Sequence, residues 1–137
     1  MAMALRDMKT LVLASLIFLA APGLALGAPS VDAATAGVSP GRIDGATAQA
    51  LVASGVRVVD VRTAAEFSSG HVPGAINIPF DELPRRAGEI GPPTTPMVLY
   101  CRSGNRSGQA VDALRRAGYT KLYDMQRVTA WPGALAR

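Results

Sequence analysis

The chain of 137 residues carries one cysteine and one histidine. A lone cysteine, Cys101, excludes an internal disulfide, so the thiol is not half of a structural cross-link. No Asp or Glu clusters with Cys101 or His71 at metal-ligand spacing, so the sequence supplies no zinc site. Aromatic residues are scarce at 5%, and charged ones reach only 18%. The formal charge of +4 comes from scattered basic residues with no aromatics interleaved, which speaks against nucleic-acid binding. No internal repeat is present, and the length suits one domain.

One long apolar run exists, and it lies at the start. Arg6 and Lys9 precede Thr10 to Ala21 (TLVLASLIFLAA), Pro22 and Gly23 break the run, and Ala25-Leu26-Gly27 offers small residues for cleavage. This order of basic, apolar and small-residue regions is that of a secretory signal peptide, here residues 1–27. The run is short for a membrane span, which needs about 20 residues; a retained anchor is the competing reading. No cysteine lies near the cleavage site for lipid attachment and no Arg-Arg pair precedes the apolar run, so the general export route is expected. The reading therefore places the protein outside the cytoplasm, in a bacterial periplasm, with no membrane contact after cleavage. Residues 28–40, small and polar, are expected to form a flexible mature N-terminus, with the globular domain over 41–137. An unpaired thiol in an oxidising compartment is a liability unless it is used.

The stretch from Pro96 to Gly118, PMVLYCRSGNRSGQAVDALRRAG, carries the chemistry. Met97 to Tyr100 reads as a buried strand, and apolar Ala110, Val111, Leu114 and Ala117 give helical spacing over Ser107 to Ala117, stopped by Gly118. Between them Cys101-Arg102-Ser103-Gly104-Asn105-Arg106 turns the strand into the helix. Such a turn points backbone N–H groups inward at the positive end of the helix dipole. Gly104 lets the backbone bend, and Arg102 and Arg106 add charge. All three features favour thiolate, the nucleophilic form, and the same donors suit an anionic substrate. A buried cysteine packed as a small hydrophobe is the bland alternative.

Elsewhere Asp44 is placed to cap a helix over Ala46 to Ser54, and Val56 to Val61 reads as a central parallel strand with Asp60 and Arg62 at its end. Sites of open α/β sheets form beyond such strand ends. Thr63-Ala64-Ala65-Glu66 is a capping box opening a short helix that Ser69-Gly70 ends. His71 follows; it either pairs with the cysteine or orients its own turn by hydrogen bonding, and the second is favoured. Ala75 to Pro79 reads as a short strand, Phe80 to Arg86 as a short helix, and Ala87 to Pro96 as surface loop. Tyr119 to Met125 supplies the last strand. Ala130-Trp131 falls in a C-terminal helical segment, with Trp131 as core or lid. Strands alternating with helices predict an α/β fold: one parallel sheet with helices on both faces.

Two blocks, YCRSGNRSGQAVDALRRAGY and VVDVRTAAEFSSGHVPGAINIPFDEL (Val58 to Leu83), resemble the hallmark stretches of rhodanese-type sulfurtransferases, in that family's order. The resemblance implies a rhodanese-like single domain that moves sulfane sulfur from a donor such as thiosulfate, through a persulfide on Cys101, to cyanide or a thiol. It implies no cofactor. The loop N–H groups over Arg102, Ser103, Gly104, Asn105 and Arg106 would hold the persulfide, and Arg102 would bind the sulfonate of the donor. Arg106 would either share that task or brace the loop on a carboxylate. Asp60 and Arg62 would fix the loop from behind, Arg62 through Glu66 or Asp60 unless it meets substrate. Cys–Arg phosphatases and arsenate reductases share the logic, but phosphatase loops hold one more residue between Cys and Arg, which puts those activities lower. A non-catalytic persulfide carrier that passes sulfur to a protein partner is the main alternative. Family members often carry Gly-Gly where this chain has Gln126-Arg127, and such residues take glycine's conformations only at a cost.

Overall fold

The computed structural model describes residues 30–137, so the expected signal peptide, 1–27, lies outside the described residues. The elements run α1 Val31–Ala36, β1 Gly41–Arg42, α2 Gly45–Ala53, β2 Arg57–Asp60, α3 Ala64–Ser69 and β3 Ile76–Asn77. They continue with α4 Leu83–Arg86, a 3-10 turn Ala87–Glu89, β4 Met97–Cys101, α5 Asn105–Arg116, β5 Leu122–Arg127 and a 3-10 turn Val128–Ala130.

Every residue of β4 is buried, because the strand lies in the middle of a five-stranded parallel sheet ordered β1-β5-β4-β2-β3. Alternation along β4 divides its side chains between two cores. Met97, Leu99 and Cys101 join Leu83, Ile90, Ala110, Val111 and Leu114 on the face covered by α4 and α5. Val98 and Tyr100 join Ala48, Leu51 and Val56 on the face covered by α1 and α2. Helices therefore cover both faces, as the alternating pattern predicts. A strand buried on both sides has no polar position to spare, so its run reads as uninterrupted apolar.

Chain punctuation follows the residues. The Asp44 carboxylate accepts the Thr47 N–H at 2.8 Å and opens α2. Thr63 and Glu66 complete the capping box of α3. Gly118, at φ +97°, ends α5 while the Tyr119 N–H reaches back to the Leu114 carbonyl at 3.0 Å.

Three expectations need correction. Residues 28–40 are not a flexible lead-in throughout: Ser30 caps α1, and Val31, Ala34 and Val38 pack on the second core. Their spacing of three and four residues is helical, but small neighbours mask it. The stretch 87–96 is not all surface loop, since it opens in a 3-10 turn and buries Ile90. The segment around Ala130-Trp131 is a single 3-10 turn, after which Trp131 is extended and packs against the second core.

Gly45 opens α2 directly under the chain near the C-terminus, and a methyl group there would be driven onto the Ala130 carbonyl oxygen. Gly45→Ala is therefore expected to destabilise the fold by about 1–3 kcal/mol, read as a lower urea midpoint. Gly37→Ala, where a Cβ meets nothing, should leave the midpoint near wild type.

Candidate active site

β2 and β4 run side by side in parallel register, with Asp60 opposite Tyr100, so both strands end at one edge of the sheet. Cys101 is the last residue of β4, and α5 begins four residues later. The sulfur is fully buried, at 0% exposure, and held from two directions. The Gly104 N–H donates to Sγ at 3.0 Å, and the Cys101 S–H donates to the Gln126 carbonyl at 3.3 Å. Gly104 makes the first contact possible by turning at φ +102°, where an L side chain is strained. Ser107 donates from its hydroxyl to the Gly104 carbonyl at 3.1 Å and closes the first turn of α5 around the loop.

Burial alone pushes the Cys101 thiol up, because a thiolate loses its water there. Donors from the Ser107, Gly104 and Ser103 N–H groups outweigh that effect and bring the thiol below its ordinary value. The site thus lowers the thiol through aligned donors, not through a neighbouring base.

The charged residues divide into committed and free. Arg106 grips Glu66 by two bonds, 2.7 and 2.9 Å, so of its two readings the structure displays the brace. This contact ties the start of α5 to the capping box of α3, and it holds the Glu66 carboxyl down at about 2, with Arg106 the largest cause. Arg62 pairs with Asp60, not Glu66: its Nη2 lies 2.6 Å from Oδ2, and the same nitrogen donates to the Gly70 carbonyl at 2.7 Å. Asp60 is 0% and Arg62 5% exposed, so of the readings of Arg62 the structure displays the salt bridge to Asp60. The Asn77 amide donates to the carbonyls of both, so the pair locks the ends of β2 and β3 behind the loop. Arg102, Ser103 and Asn105 are exposed, and Arg102 forms no ion pair among the described residues.

His71 takes no part in this centre. Its Nδ1 lies 2.9 Å from the Phe67 carbonyl and its ring stacks on Phe67 at 3.7 Å, which orients the turn. Among the described residues no group of three His, Cys, Asp or Glu side chains gathers as a metal site.

From sequence, Gln126-Arg127 marks a departure in which Arg127 adds a positive charge near the pocket and Gln126 has no role. Gln126 sits at φ +71°, the one non-glycine residue at positive φ among the described residues, whereas Arg127, at φ −130°, is ordinary strand. A bulge opposite Leu99 and Tyr100 brings Gln126 there, and the Asp124 carboxylate fixes it by accepting its N–H at 2.8 Å. Asp124 is nearly buried, and that burial raises its carboxyl against the pull of the Gln126 N–H and of the Arg42 charge. Ser107 and Asp124 were both missed. An acid inside an apolar last strand and a serine in a helix's first turn were their only signals.

Beside the loop lies a polar cleft of about 420 Å³ lined by Ser103, Gly104, Asn105, Gln109, Gln126 and Arg42. A second groove of about 440 Å³ between α1 and α2, lined mainly by Ala34, Val38, Ala46 and Ala50, shares no residue with the site.

Comparison with known proteins fits this geometry. The family model of the rhodanese-like domain matches residues 44–127. A sulfurtransferase of Allochromatium vinosum is 40% identical over 77 residues, which is 56% of this chain and 71% of that protein. The thiosulfate sulfurtransferase PspE of Escherichia coli is 41% identical over 65 residues, 47% of this chain and 62% of that protein. Among solved structures, a rhodanese with anions from E. coli superposes with a TM-score of 0.57 at 29% identity, covering 59% of this chain and 96% of that one.

Two outcomes follow from the site. The Glu66 carboxyl lies at about 2 in the fold against 4.5 ordinarily, so its contribution is complete above pH 4.5 and is lost as pH falls toward 2. Glu66→Gln should cost about 1–2 kcal/mol at neutral pH, the quarter exposure of both side chains reducing the full charged-bond value. The gap in urea midpoint from wild type should close as the pH approaches 2. Ser107→Ala removes the hydroxyl that pins the Gly104 carbonyl, and with it the set of the Gly104 N–H on the sulfur, so the pH midpoint of iodoacetamide alkylation at Cys101 should rise; an unchanged midpoint would show that Ser107 does not tune the thiol.

Proposed function

Because the chain belongs to the rhodanese-like family, we propose that it is a sulfurtransferase whose Cys101 carries sulfane sulfur from donor to acceptor. One observation carries the reading: the only thiol in the chain sits where N–H groups at the start of α5 converge on its sulfur. Those donors suit a thiolate nucleophile, and after transfer they suit a persulfide, whose outer sulfur is anionic.

In the first half-reaction the Cys101 thiolate attacks the outer sulfur of thiosulfate. A bond forms between Sγ and that sulfur, the donor's sulfur–sulfur bond breaks, and its electron pair leaves with sulfite. In the second, a thiophilic acceptor such as cyanide or a thiol attacks the outer sulfur, and the electron pair returns to Sγ. The similarity to a protein named as a thiosulfate sulfurtransferase supports thiosulfate as the donor. Arg102, exposed on the loop, supplies the charge for the donor's sulfonate, and Arg127, exposed and in register with Cys101, adds to the same positive field. Arg106 is held by Glu66 and serves the loop's shape. The basic and apolar N-terminal stretch supports an exported, periplasmic protein.

The test is intact mass after incubation with thiosulfate, then thiocyanate release on adding cyanide, with Cys101→Ser beside it. One added sulfur that disappears as thiocyanate forms, and that the variant never gains, is the expected result. A stable persulfide without turnover would instead make the protein a sulfur carrier. No added sulfur would overturn the proposal. Arg102→Gln should raise the KM for thiosulfate about tenfold, the worth of one charge-assisted contact, with little change in kcat.

A further inference from the structure

The polar cleft beside the loop is far larger than cyanide needs, and its volume lies within the range of small-molecule sites. Two of its lining residues touch the reactive sulfur: Gly104 donates to Sγ, and Gln126 accepts from it. A molecule seated in the cleft therefore rests against the groups that hold Cys101. Cys101 lies behind these two residues and does not itself line the cleft, and neither does Arg102, assigned to the donor.

The cation of the cleft is Arg42. It lies on β1 at the edge of the sheet, opposite Asp124 in register, two residues short of Gln126 on the neighbouring strand. Arg42 is exposed and forms no ion pair within 4.0 Å among the described residues. Two carboxylates lie near it, and the Arg42 charge acts on Asp124. Asp124 is nearly buried and accepts the Gln126 N–H, and Asp112, which also lines the cleft, lies 3.8 Å from Arg115.

Gln126 adds an independent observation. Its backbone holds a positive φ that glycine would take without strain, yet the position keeps a side chain, and that residue lines the cleft. Strain retained beside a reactive group points to use of the side chain. With Asn105 and Gln109 it gives the cleft amide groups able to donate as well as accept.

We propose that this cleft is the acceptor subsite, and that Arg42 and Gln126 select a small thiol bearing a carboxylate. The carboxylate sits on Arg42, the amides satisfy its polar groups, and its thiol faces Cys101. The inference rests on the reading that Cys101 carries sulfane sulfur. The acceptor thiolate attacks the outer sulfur of the Cys101 persulfide, forming a new sulfur–sulfur bond. The bond to Sγ breaks and its electron pair stays on Sγ. The acceptor leaves as a persulfide, the sulfane sulfur keeps its oxidation level, and no oxidant or reductant is consumed.

The experiment compares 3-mercaptopropionate with 3-mercaptopropanol, matched in chain length and differing in the carboxylate, as acceptors at saturating thiosulfate. The wild type should show the higher kcat/KM with the carboxylate. Arg42→Gln should reduce that preference about tenfold through KM, the worth of one charge-assisted contact, and Arg42→Lys should restore part of it. Gln126→Gly should reduce the preference too while raising the thermal midpoint, since glycine removes the strain. Mass spectrometry of each variant after thiosulfate treatment separates the two levels of inference. Failure of the wild type to gain sulfur would overturn the sulfur-transfer reading itself. A normal persulfide with an unchanged acceptor preference in Arg42→Gln and Gln126→Gly would overturn the subsite alone.

Discussion

The Cys101 sulfur is clasped between two backbone groups of opposite character, and the local architecture follows from that clasp. The Gly104 N–H favours a negative sulfur, and the Gln126 carbonyl favours a protonated one. At full burial neither effect is diluted by water, and with the further donors at Ser103 and Ser107 the thiol stands below its ordinary value. Two unusual backbone conformations make the clasp. Gly104 at φ +102° turns its N–H inward, and Gln126 at φ +71° turns its carbonyl toward the same atom. The two residues are also close: a Cβ on Gly104 would come within 3.2 Å of the Gln126 Cβ. A side chain at either place constrains the other, so the loop and the end of β5 form one unit.

Around this unit the charges sort by task. Asp60 with Arg62 and Glu66 with Arg106 are consumed in fixing strands, caps and the start of α5. Buried and half-buried pairs of this kind contribute as much to shape as to stability. Near the loop, Arg42, Arg102 and Arg127 form no ion pair within 4.0 Å among the described residues. Arg42 lines the cleft and Arg102 does not, which suits a two-step transfer in which donor and acceptor arrive with different anions.

Much of the frame was legible in the chain. The apolar run Met97 to Tyr100, the helical spacing of Ala110, Val111 and Leu114, and the Thr63-to-Glu66 box are local signals, and local signals survive folding. The cysteine's place at a strand-to-helix turn was legible for the same reason. What stayed hidden depends on contacts distant in sequence. Arg106 meets Glu66 forty positions away, and Arg42 reaches the site only because β1 pairs with β5, the last strand. The helix at Val31–Ala36 was hidden differently: small residues carry little apolar contrast, and its stability comes from packing on α2.

Gln126 shows how a local departure becomes interpretable only in three dimensions. From sequence, Gln-Arg in place of a glycine pair suggests a rebuilt segment with a different backbone. The structure instead keeps the glycine-like turn at Gln126 and returns to ordinary strand at Arg127. The reason lies in the neighbours: the Asp124 carboxylate holds the Gln126 N–H, and the bulge in β5 sets the Gln126 carbonyl 3.3 Å from the Cys101 sulfur. The backbone conformation is therefore fixed by the sulfur site, while the side chain is free to differ. Strain of order 1–2 kcal/mol in such a turn is small beside the energy of a folded domain, and it allows an amide group in the cleft without moving the atoms that hold the sulfur.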